Sequence, residues 1–252
     1  MNMKALSLVL MVFTTQFVLA DTMDSLLQKG NEYYIAKDYY KAARYYETIL
    51  KAGKESADLY DNLGNVYYKL NDISRSILYY EKAIQLNPDF QDAIFNLSIV
   101  NTRTTDKIEQ MPDIFFIAWF KSVRNWMSPD SWAIFALAIF LILLTVVLLI
   151  LLVPSLLIRR IAFASSFLFL LLFIFTFVFA YSAYKAAVSD DQAIVMSPSV
   201  IVKSSPDETA TDLFMIHEGT KVKINEAFGD WIEIQLADGK SGWITALNVE
   251  VI

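Results

Sequence analysis

Two uncharged apolar runs, separated by seven residues, constrain the fold of this chain more than any other feature of its sequence. The runs cover residues 131–153 and 161–184, and neither contains Asp, Glu, Lys or Arg. Because an α-helix rises about 1.5 Å per residue, helices of these lengths cross a hydrocarbon core about 30 Å thick. The whole chain is 56% hydrophobic and 19% charged, which is more apolar than ordinary soluble proteins are. The sequence therefore predicts a multidomain membrane protein with two transmembrane helices.

The segment between the two runs, residues 154–160, is too short to hold a domain. The two helices are therefore expected to form a transmembrane hairpin whose outer ends lie on the same side of the bilayer. The positive-inside bias favours a cytoplasmic position for Arg159 and Arg160, although basic residues also flank the outer ends. We predict that residues 154–160 form a short cytoplasmic loop.

Residues 1–20 have the pattern of a secretory signal peptide. Lys4 precedes an apolar stretch, and Val18 and Ala20 stand at the positions that a signal peptidase reads. We predict cleavage after Ala20, and an uncleaved anchor is the alternative. In both cases the segment that follows is exported, and the two later crossings return the C-terminus to the exported side.

A short segment before the first run, residues 113–127, combines aromatic side chains with regularly spaced polar ones. Lys121, Arg124, Asn125 and Ser128 follow an i, i+3, i+4, i+7 spacing, which places them on one face of a helix. This pattern predicts an amphipathic helix that lies in the membrane interface. The alternative is a helix that packs on the preceding soluble domain.

The segment nearer the N-terminus contains an internal repeat. Gly30 recurs as Gly64, and two pairs of adjacent tyrosines recur at the same spacing. The better-preserved copy contains Tyr60, Leu63, Gly64, Tyr67, Ser76, Tyr80, Ala83 and Pro88. These residues resemble the signature of the tetratricopeptide repeat (TPR), in which each repeat is a pair of helices that stacks on the next pair.

This resemblance implies an all-α TPR solenoid over residues 21–110. It would contain two repeats, residues 23–56 and 57–90, followed by a capping helix over residues 91–107. The family geometry implies a concave groove lined by Asn31, Tyr34, Asp61, Asn62, Asn65, Tyr68, Lys69 and Arg103. A groove of mixed charge suits a peptide or protein segment. The alternative is that the two groove tyrosines only pack locally.

The pattern changes in residues 189–252, where short alternating runs are separated by turn dipeptides. The elements Gly229-Asp230-Trp231 and Asp238-Gly239-Lys240-Ser241-Gly242-Trp243 resemble those of a bacterial SH3-type domain. The resemblance implies a small all-β SH3-like barrel. We interpret Trp231 and Trp243 as core residues, and a ligand contact on the barrel is the alternative.

Signals of catalysis, metal binding and nucleic-acid binding are weak. The chain has no Cys and one His, which excludes thiolate chemistry and leaves His217 without a histidine partner for zinc. Residues 21–110 carry 11 Lys/Arg against 14 Asp/Glu, and residues 189–252 carry 4 against 11. Neither segment has the basic surface typical of nucleic-acid-binding proteins. We predict that the protein is not an enzyme and has no catalytic residue, metal site, cofactor or nucleic-acid partner.

The order of signal, short TPR, membrane hairpin and exported barrel resembles the BatE family of the Bacteroides aerotolerance (Bat) operon. The resemblance implies a bacterial inner-membrane protein with periplasmic N- and C-terminal domains. It also implies, beside the lipid bilayer, Bat-type membrane proteins with von Willebrand A domains as partners, and a link to aerotolerance or envelope stress. We expect a non-catalytic scaffold that presents the groove and the barrel. A peptidoglycan-binding tether or envelope sensor is the alternative.

Overall fold

The structure is a computed structural model that describes residues 23–108, 112, 114–189 and 191–252. The predicted signal peptide and Asp113, where the predicted interfacial helix begins, lie outside the described residues. The described helices are α1 (residues 23–35), α2 (Tyr39–Lys51), α3 (Ala57–Lys69), α4 (Ile73–Leu86), α5 (Gln91–Asn101), α6 (Phe115–Arg124), α7 (Pro129–Leu152) and α8 (Leu156–Ala187). The described strands are β1 (Gln192–Val195), β2 (Ser199–Lys203), β3 (Asp212–His217), β4 (Lys221–Phe228), β5 (Trp231–Gln235), β6 (Ser241–Thr245) and β7 (Val249–Val251).

Helices α1 to α5 form a stack in which the same local signals build the helix pair twice. Asp38, Ser56 and Asp72 precede α2, α3 and α4, and each side chain accepts a hydrogen bond from the backbone N–H three residues later. Lys37 and Asn71, which occupy equivalent positions in the two copies of the repeat, adopt φ angles of 61° and 64° in the tight turns before α2 and α4. The repeat in the sequence is therefore accompanied by a repeat in helix caps and turn conformations.

Helices α7 and α8 pack side by side, and both are long and apolar enough to cross a membrane. The rings of Phe140 and Phe173 lie 5.4 Å apart, and those of Trp132 and Phe179 also lie 5.4 Å apart, which shows that the two helices run antiparallel. Helix α8 has 32 residues, or about 48 Å of helix. It extends beyond the predicted span of residues 161–184 at both ends.

The link between these two helices is shorter than the predicted loop of residues 154–160. It consists of residues 153–155, because residues 156–160 already belong to α8. Arg159, which the sequence-based prediction places in the loop, lies in the first turns of α8 and donates from Nε to the carbonyl oxygen of Val153 at 2.7 Å. This bond satisfies a backbone carbonyl at the C-terminal end of α7, where no helical N–H is available.

Helix α6 is shorter than the predicted helix over residues 113–127, and it packs on the apolar hairpin. The ring of Phe120 lies 4.8 Å from that of Phe179 on α8. The indole N–H of Trp132 on α7 donates to the carbonyl oxygen of Arg124 at 2.9 Å. Both contacts hold the C-terminal half of α6 against the ends of α7 and α8.

The C-terminal strands form one seven-stranded antiparallel sheet with the order β3-β2-β6-β5-β4-β1-β7. Register shifts between Val202 and Lys203 in β2, and between Ile224 and Glu226 in β4, bend the sheet around its core. In this order β3 and β7 are the edges of the sheet. The core consists of Ala193, Val195, Val200, Val202, Ile216, Val222, Ile232, Ile234, Leu236 and Ile244.

Helices α1 to α5 together are called the helical unit. The sheet packs directly on this unit along α4. Ile194 of β1 and Ile252 at the C-terminus are buried in the same apolar cluster as Ile77 of α4. Beside this cluster, Nζ of Lys221 in β4 lies 2.7 Å from Oε2 of Glu81 in α4. The helical unit and the sheet therefore share a core instead of being joined only by a linker.

A carboxylate that follows α5 completes the contact between helices and sheet. Asp106 accepts hydrogen bonds from the backbone N–H of His217 and from Oγ1 of Thr220, both at 2.7 Å, and its Oδ1 lies 2.8 Å from Nδ1 of His217. Burial would raise the pKa of Asp106, but the hydrogen bonds from Thr220 and His217 outweigh burial and lower this pKa. The ionised form of Asp106 therefore stabilises the contact.

We predict that Asp106→Asn loosens the sheet from the helical unit. The change removes the charge that His217 and Thr220 bind, and a hydrogen bond to a charged group contributes about 1.5–3 kcal/mol. Amide hydrogen exchange in residues 216–220 should therefore be at least about tenfold faster. Because the folded-state pKa is lowered, the wild type should lose this protection only as the pH falls below 3.8. The variant should lack that acid step.

Asp207→Asn is the matched control for this experiment. Asp207 also has a lowered pKa, which hydrogen bonds from Thr209 maintain, but it lies in an exposed turn of the sheet. The control should leave exchange in residues 216–220 unchanged. If the Asp106→Asn variant exchanged as slowly as the wild type, after correction for intrinsic rates, this carboxylate would not be what holds the sheet on the helical unit.

Candidate functional site

Helices α1, α3 and α5 line one side of the helical unit. The first two are the first helices of the predicted repeats, and α5 is the predicted cap. All predicted groove residues except Arg103 lie on α1 and α3. The adjacent helix α5 contributes Asn96, whose side chain reaches α3. We call this surface the groove and define it by Asn31, Tyr34, Asp61, Asn62, Asn65, Tyr68, Lys69, Asn96 and Arg103.

A tyrosine from the second helix of each pair positions an asparagine of the groove. Tyr80 of α4 packs on Gly64, where an added Cβ would lie 2.5 Å from the ring, and its hydroxyl donates to Oδ1 of Asn65 at 3.0 Å. Tyr46 makes the equivalent contact in the preceding copy of the repeat by donating to Oδ1 of Asn31 at 2.7 Å. Burial raises the pKa of Tyr46 to about 12, so its hydroxyl remains protonated and donates at neutral pH.

Asp61, Asn65 and Asn96 form a hydrogen-bonded cluster in the groove. The side-chain amide of Asn65 donates to Oδ2 of Asp61 at 2.8 Å. The amide of Asn96 donates to Oδ1 of Asp61 at 3.2 Å and to Oδ1 of Asn65 at 3.4 Å. Burial raises the pKa of Asp61, and the hydrogen bonds from Asn96 and Asn65 oppose this rise. The cluster therefore holds one carboxylate in a defined orientation before any ligand binds.

Asn96 is the groove residue that the sequence-based prediction omits. The sequence predicts only a capping helix over residues 91–107 after the second repeat, with Arg103 as its one groove residue, whereas α5 ends at Asn101 and Arg103 follows it. A signal is nevertheless present, because Asn96 follows Asn62 by the same interval that separates the two repeat glycines. Asn62 itself lies on α3 and is partly exposed.

A cationic patch follows the acidic cluster along the groove. The guanidinium carbon of Arg103 lies 5.4 Å from the ring centroid of Tyr68, and Nζ of Lys69 lies 5.9 Å from the same centroid. Both distances fall within the range of cation–π attraction. Arg103 also donates a hydrogen bond to Oδ1 of Asn71, which holds its guanidinium beside α3. The structure thus brings Tyr68, Lys69 and Arg103 together.

The two groove tyrosines are half-buried. Tyr34 packs edge-on against Tyr39, with the ring centroids 5.5 Å apart, and burial raises its pKa, with a contribution from the charge of Asp61. Tyr68 packs against the apolar cluster around α4. Both rings therefore pack locally, as the alternative interpretation expects, and both keep part of their surface exposed to the groove.

Trp231 and Trp243 lie outside the core of the sheet, contrary to their interpretation as core residues. They lie on the adjacent strands β5 and β6, where their neighbours Ile232 and Ile244 point into the core of the sheet. Because side chains alternate between the faces of a strand, the two tryptophans point to the opposite face. Both are partly exposed there, and Trp243 lies opposite Glu233 on the neighbouring strand.

The chemistry of the groove suits recognition of another chain. It offers amide donors, phenol rings, one oriented carboxylate and two cations, which are groups that bind peptide side chains and backbone. In the part of the chain that the structure describes, no group of three or more His, Cys, Asp or Glu residues is arranged to hold a metal ion.

Comparison with known proteins identifies the repeat. Residues 57–90, which comprise α3 and α4, match the family described as tetratricopeptide repeat. The match coincides with the predicted second repeat and contains Asp61, Asn65 and Tyr68 of the groove. Tetratricopeptide repeats generally have no catalytic role and bind other proteins, which indicates a role in protein–protein interaction for this segment. No curated protein sequence matches the chain.

We predict that Gly64→Ala destabilises the helical unit. The added Cβ would lie 2.5 Å from the ring of Tyr80, so the ring must shift and α3 must move away from α4. Overpacking of this kind costs about 1–3 kcal/mol. The measurement is the midpoint of thermal unfolding of the full chain in detergent, followed by circular dichroism, and the midpoint should fall.

A double-mutant cycle with Tyr80→Leu tests the proposed cause. In the Tyr80→Leu background the ring is absent, so Gly64→Ala should cost less than about 1 kcal/mol. An equal fall of the midpoint in both backgrounds would show that the glycine is required for a reason other than the approach of Tyr80.

Proposed function

We propose that this protein is a non-catalytic adaptor of a bacterial inner membrane. Helices α7 and α8 form a transmembrane hairpin, and the groove and the sheet, an SH3-type barrel, lie on the periplasmic side. The groove binds a peptide segment of a membrane partner that carries a von Willebrand A domain. The protein thereby assembles a Bat-type complex linked to aerotolerance or envelope stress.

The observation that carries this proposal is the hydrogen-bonded cluster in a matched tetratricopeptide repeat. Tyr80 orients Asn65, and Asn65 and Asn96 orient Asp61, so the polar groups of the groove are fixed before binding. A fixed site loses less conformational entropy on binding than a mobile one. Helices α1 and α2 contain an equivalent contact, in which Tyr46 packs on Gly30 and donates to Asn31. This contact supports a first repeat over residues 23–56.

The charges of the groove define the kind of segment that it binds. Asp61 accepts hydrogen bonds from a cationic side chain or a backbone N–H of the ligand. Arg103 and Tyr68 suit an acidic or aromatic side chain. Asp61 and Tyr68 are seven residues apart on α3, hence about 10 Å apart on one face. An extended segment with a basic residue and an acidic or aromatic one about three positions away spans this distance.

The exposed surface of α7 and α8 supports the membrane placement. Large apolar side chains such as Leu152 and Phe163 are exposed along both helices, and a soluble monomer rarely exposes so large an apolar surface. Trp126, Tyr181 and Tyr184 are exposed near the end where α6 packs. Aromatic side chains at this position are typical of the boundary between lipid tails and headgroups.

We predict that Asn65→Ala with Tyr68→Ala weakens partner binding. Together these changes remove the oriented amide and the ring that holds Arg103, and each such contact contributes about 1 kcal/mol or more to binding. Recovery of membrane proteins crosslinked to the adaptor in the native host, measured by mass spectrometry, should fall at least about tenfold.

Tyr40→Ala with Asn101→Ala is the matched control. It changes the same two residue types at exposed positions on α2 and at the end of α5, outside the groove as defined above. This control should recover partners as the wild type does. Normal recovery with the groove variant would reject the groove as the binding site and favour the cell-wall tether, in which the partly exposed Trp231 and Trp243 contact peptidoglycan.

The proposed topology predicts a pattern of chemical labelling. The chain has no cysteine, so single substitutions create unique labelling sites: Lys51→Cys on α2, Lys240→Cys before β6, and Ser155→Cys in the link between α7 and α8. An impermeant maleimide should label the first two once the outer membrane is opened. It should label Ser155→Cys only after the inner membrane is also opened.

A different labelling pattern would contradict the proposal. Labelling of Ser155→Cys with the inner membrane intact would reverse the orientation of the hairpin. If Lys51→Cys but not Lys240→Cys were labelled with the inner membrane intact, the groove and the sheet would lie on opposite sides of the bilayer.

A further inference from the structure

A basic cavity of about 460 Å³ lies where the helical unit, α6, the end of α8 and the sheet meet. Its charged lining includes Glu81 of α4, Lys121 and Arg124 of α6, Lys185 of α8 and Lys221 of β4. The volume is within the range of small-ligand sites, about 300–1,000 Å³. The site is therefore large enough for a phosphate with its ester substituents.

The charge of the cavity favours an anion. Lys221 is neutralised by its ion pair with Glu81, whose atoms are 2.7 Å apart. With Lys121 left aside, the other charged residues of the described lining are two cations, Arg124 and Lys185, and one anion, Asp191. The carboxylate of Asp191 accepts a hydrogen bond from Oγ of Ser189. The described lining therefore carries a net positive charge at neutral pH.

Arg124 is held in place by its neighbours. Its Nε donates to Oδ1 of Asn125 at 2.9 Å, and its carbonyl oxygen accepts from the indole of Trp132 at 2.9 Å. Burial lowers the pKa of Arg124, which shows that its guanidinium is partly removed from water. Arginine nevertheless remains charged at neutral pH, and a partly dehydrated guanidinium binds phosphate oxygens strongly.

With the proposed membrane placement, the cavity lies at the level of the lipid phosphates. It opens beside the last turn of α8 at Lys185, next to the exposed aromatic residues Tyr181 and Tyr184. Exposed apolar residues of α8 such as Val178 continue from this point toward the middle of the hairpin. A lipid can therefore place its phosphate in the cavity and its acyl chains along α8.

We propose that this cavity binds the phosphate of an anionic phospholipid, which joins the helical unit, the sheet and the hairpin at the membrane surface. The inference rests on the membrane placement proposed above. It assigns a lipid ligand to a site distinct from the groove. The lipid contributes the anion, and Arg124 of α6 and Lys185 of α8 provide its counter-charge, while residues of α4 and the sheet complete the wall of the cavity.

The test measures lipid binding to the full chain purified in detergent. Native mass spectrometry should show retention of phosphatidylglycerol in preference to phosphatidylcholine, which has no net charge. Arg124→Gln with Lys185→Gln should weaken phosphatidylglycerol binding by on the order of tenfold or more, since each basic residue contributes about a factor of five near anionic lipid. Binding of phosphatidylcholine should remain unchanged.

Two further variants isolate the cause. Arg159→Gln with Arg160→Gln removes the same charge at the opposite end of the hairpin and should leave phosphatidylglycerol binding as in the wild type. Arg124→Lys with Lys185→Arg retains both charges and should retain most of the binding. Loss of binding in this second variant, with an unchanged midpoint of thermal unfolding, would contradict recognition by charge.

Three further results would overturn the proposal. The first is equal retention of the two lipids by the wild type, and the second is an equal loss in the control at Arg159 and Arg160. The third is displacement of phosphatidylglycerol by millimolar inorganic phosphate, which would make the cavity a site for free phosphate. Labelling of Ser155→Cys tests the membrane placement independently, so a failed lipid test with normal labelling rejects this inference alone.

Discussion

The arrangement of the whole molecule depends on one strand that is buried on both faces. In β1, Ala193 and Val195 point into the core of the sheet, and Ile194 between them points into the core of the helical unit beside Ile77. A strand in a two-layer structure normally gives one face to solvent or to a single core. In β1, by contrast, successive side chains enter the core of the sheet and the core of the helical unit, so this one strand belongs to both cores. Neither unit can move away from the other without exposing Ile194 to water.

This contact also determines how the groove is presented. Between Ala187, the last residue of α8, and Gln192, the first of β1, there are four residues, which span at most about 18 Å from end to end when extended. The sheet is therefore tied to one end of the apolar hairpin, and through α4 it holds the helical unit at the same end. A groove in a fixed orientation binds a partner at lower entropic cost than one on a flexible linker. The ion pair of Lys221 with Glu81 and the contacts of Asp106 add to this restraint.

Features with a local period were predictable from the sequence, and features set by distant contacts were not. The spacing of Gly64 and Tyr80 predicts how α3 packs on α4, because both residues belong to one helix pair. The contact of Asp106 with His217 joins residues 111 positions apart, and no local pattern marks it. For Ile194 a weak signal existed, since "AIVM" is a continuous apolar run among alternating strands. Such a run indicates burial on both faces but does not identify the covering element.

The tryptophans show that the alternation along a strand is a better guide to burial than residue type. The interpretation of Trp231 and Trp243 as core residues does not take account of this alternation, in which Ile232 and Ile234 occupy the core face of β5. The core of the sheet is formed by aliphatic side chains such as Val202, Ile234 and Ile244. The two tryptophans are partly exposed and remain available for contacts. The groove asparagines lie where the period of the repeat predicts.

The two ends of the apolar hairpin differ in a way that bears on the proposed function. At one end the link consists of residues 153–155, and Arg159 uses its guanidinium to satisfy the end of α7. Three residues offer no surface of the size that a stable protein interface needs, about 800 Å² per partner. At the other end lie the groove, the sheet and the basic cavity. With the proposed orientation, the link between α7 and α8 offers the cytosol few residues, and the surfaces suited to binding lie on the opposite side of the membrane.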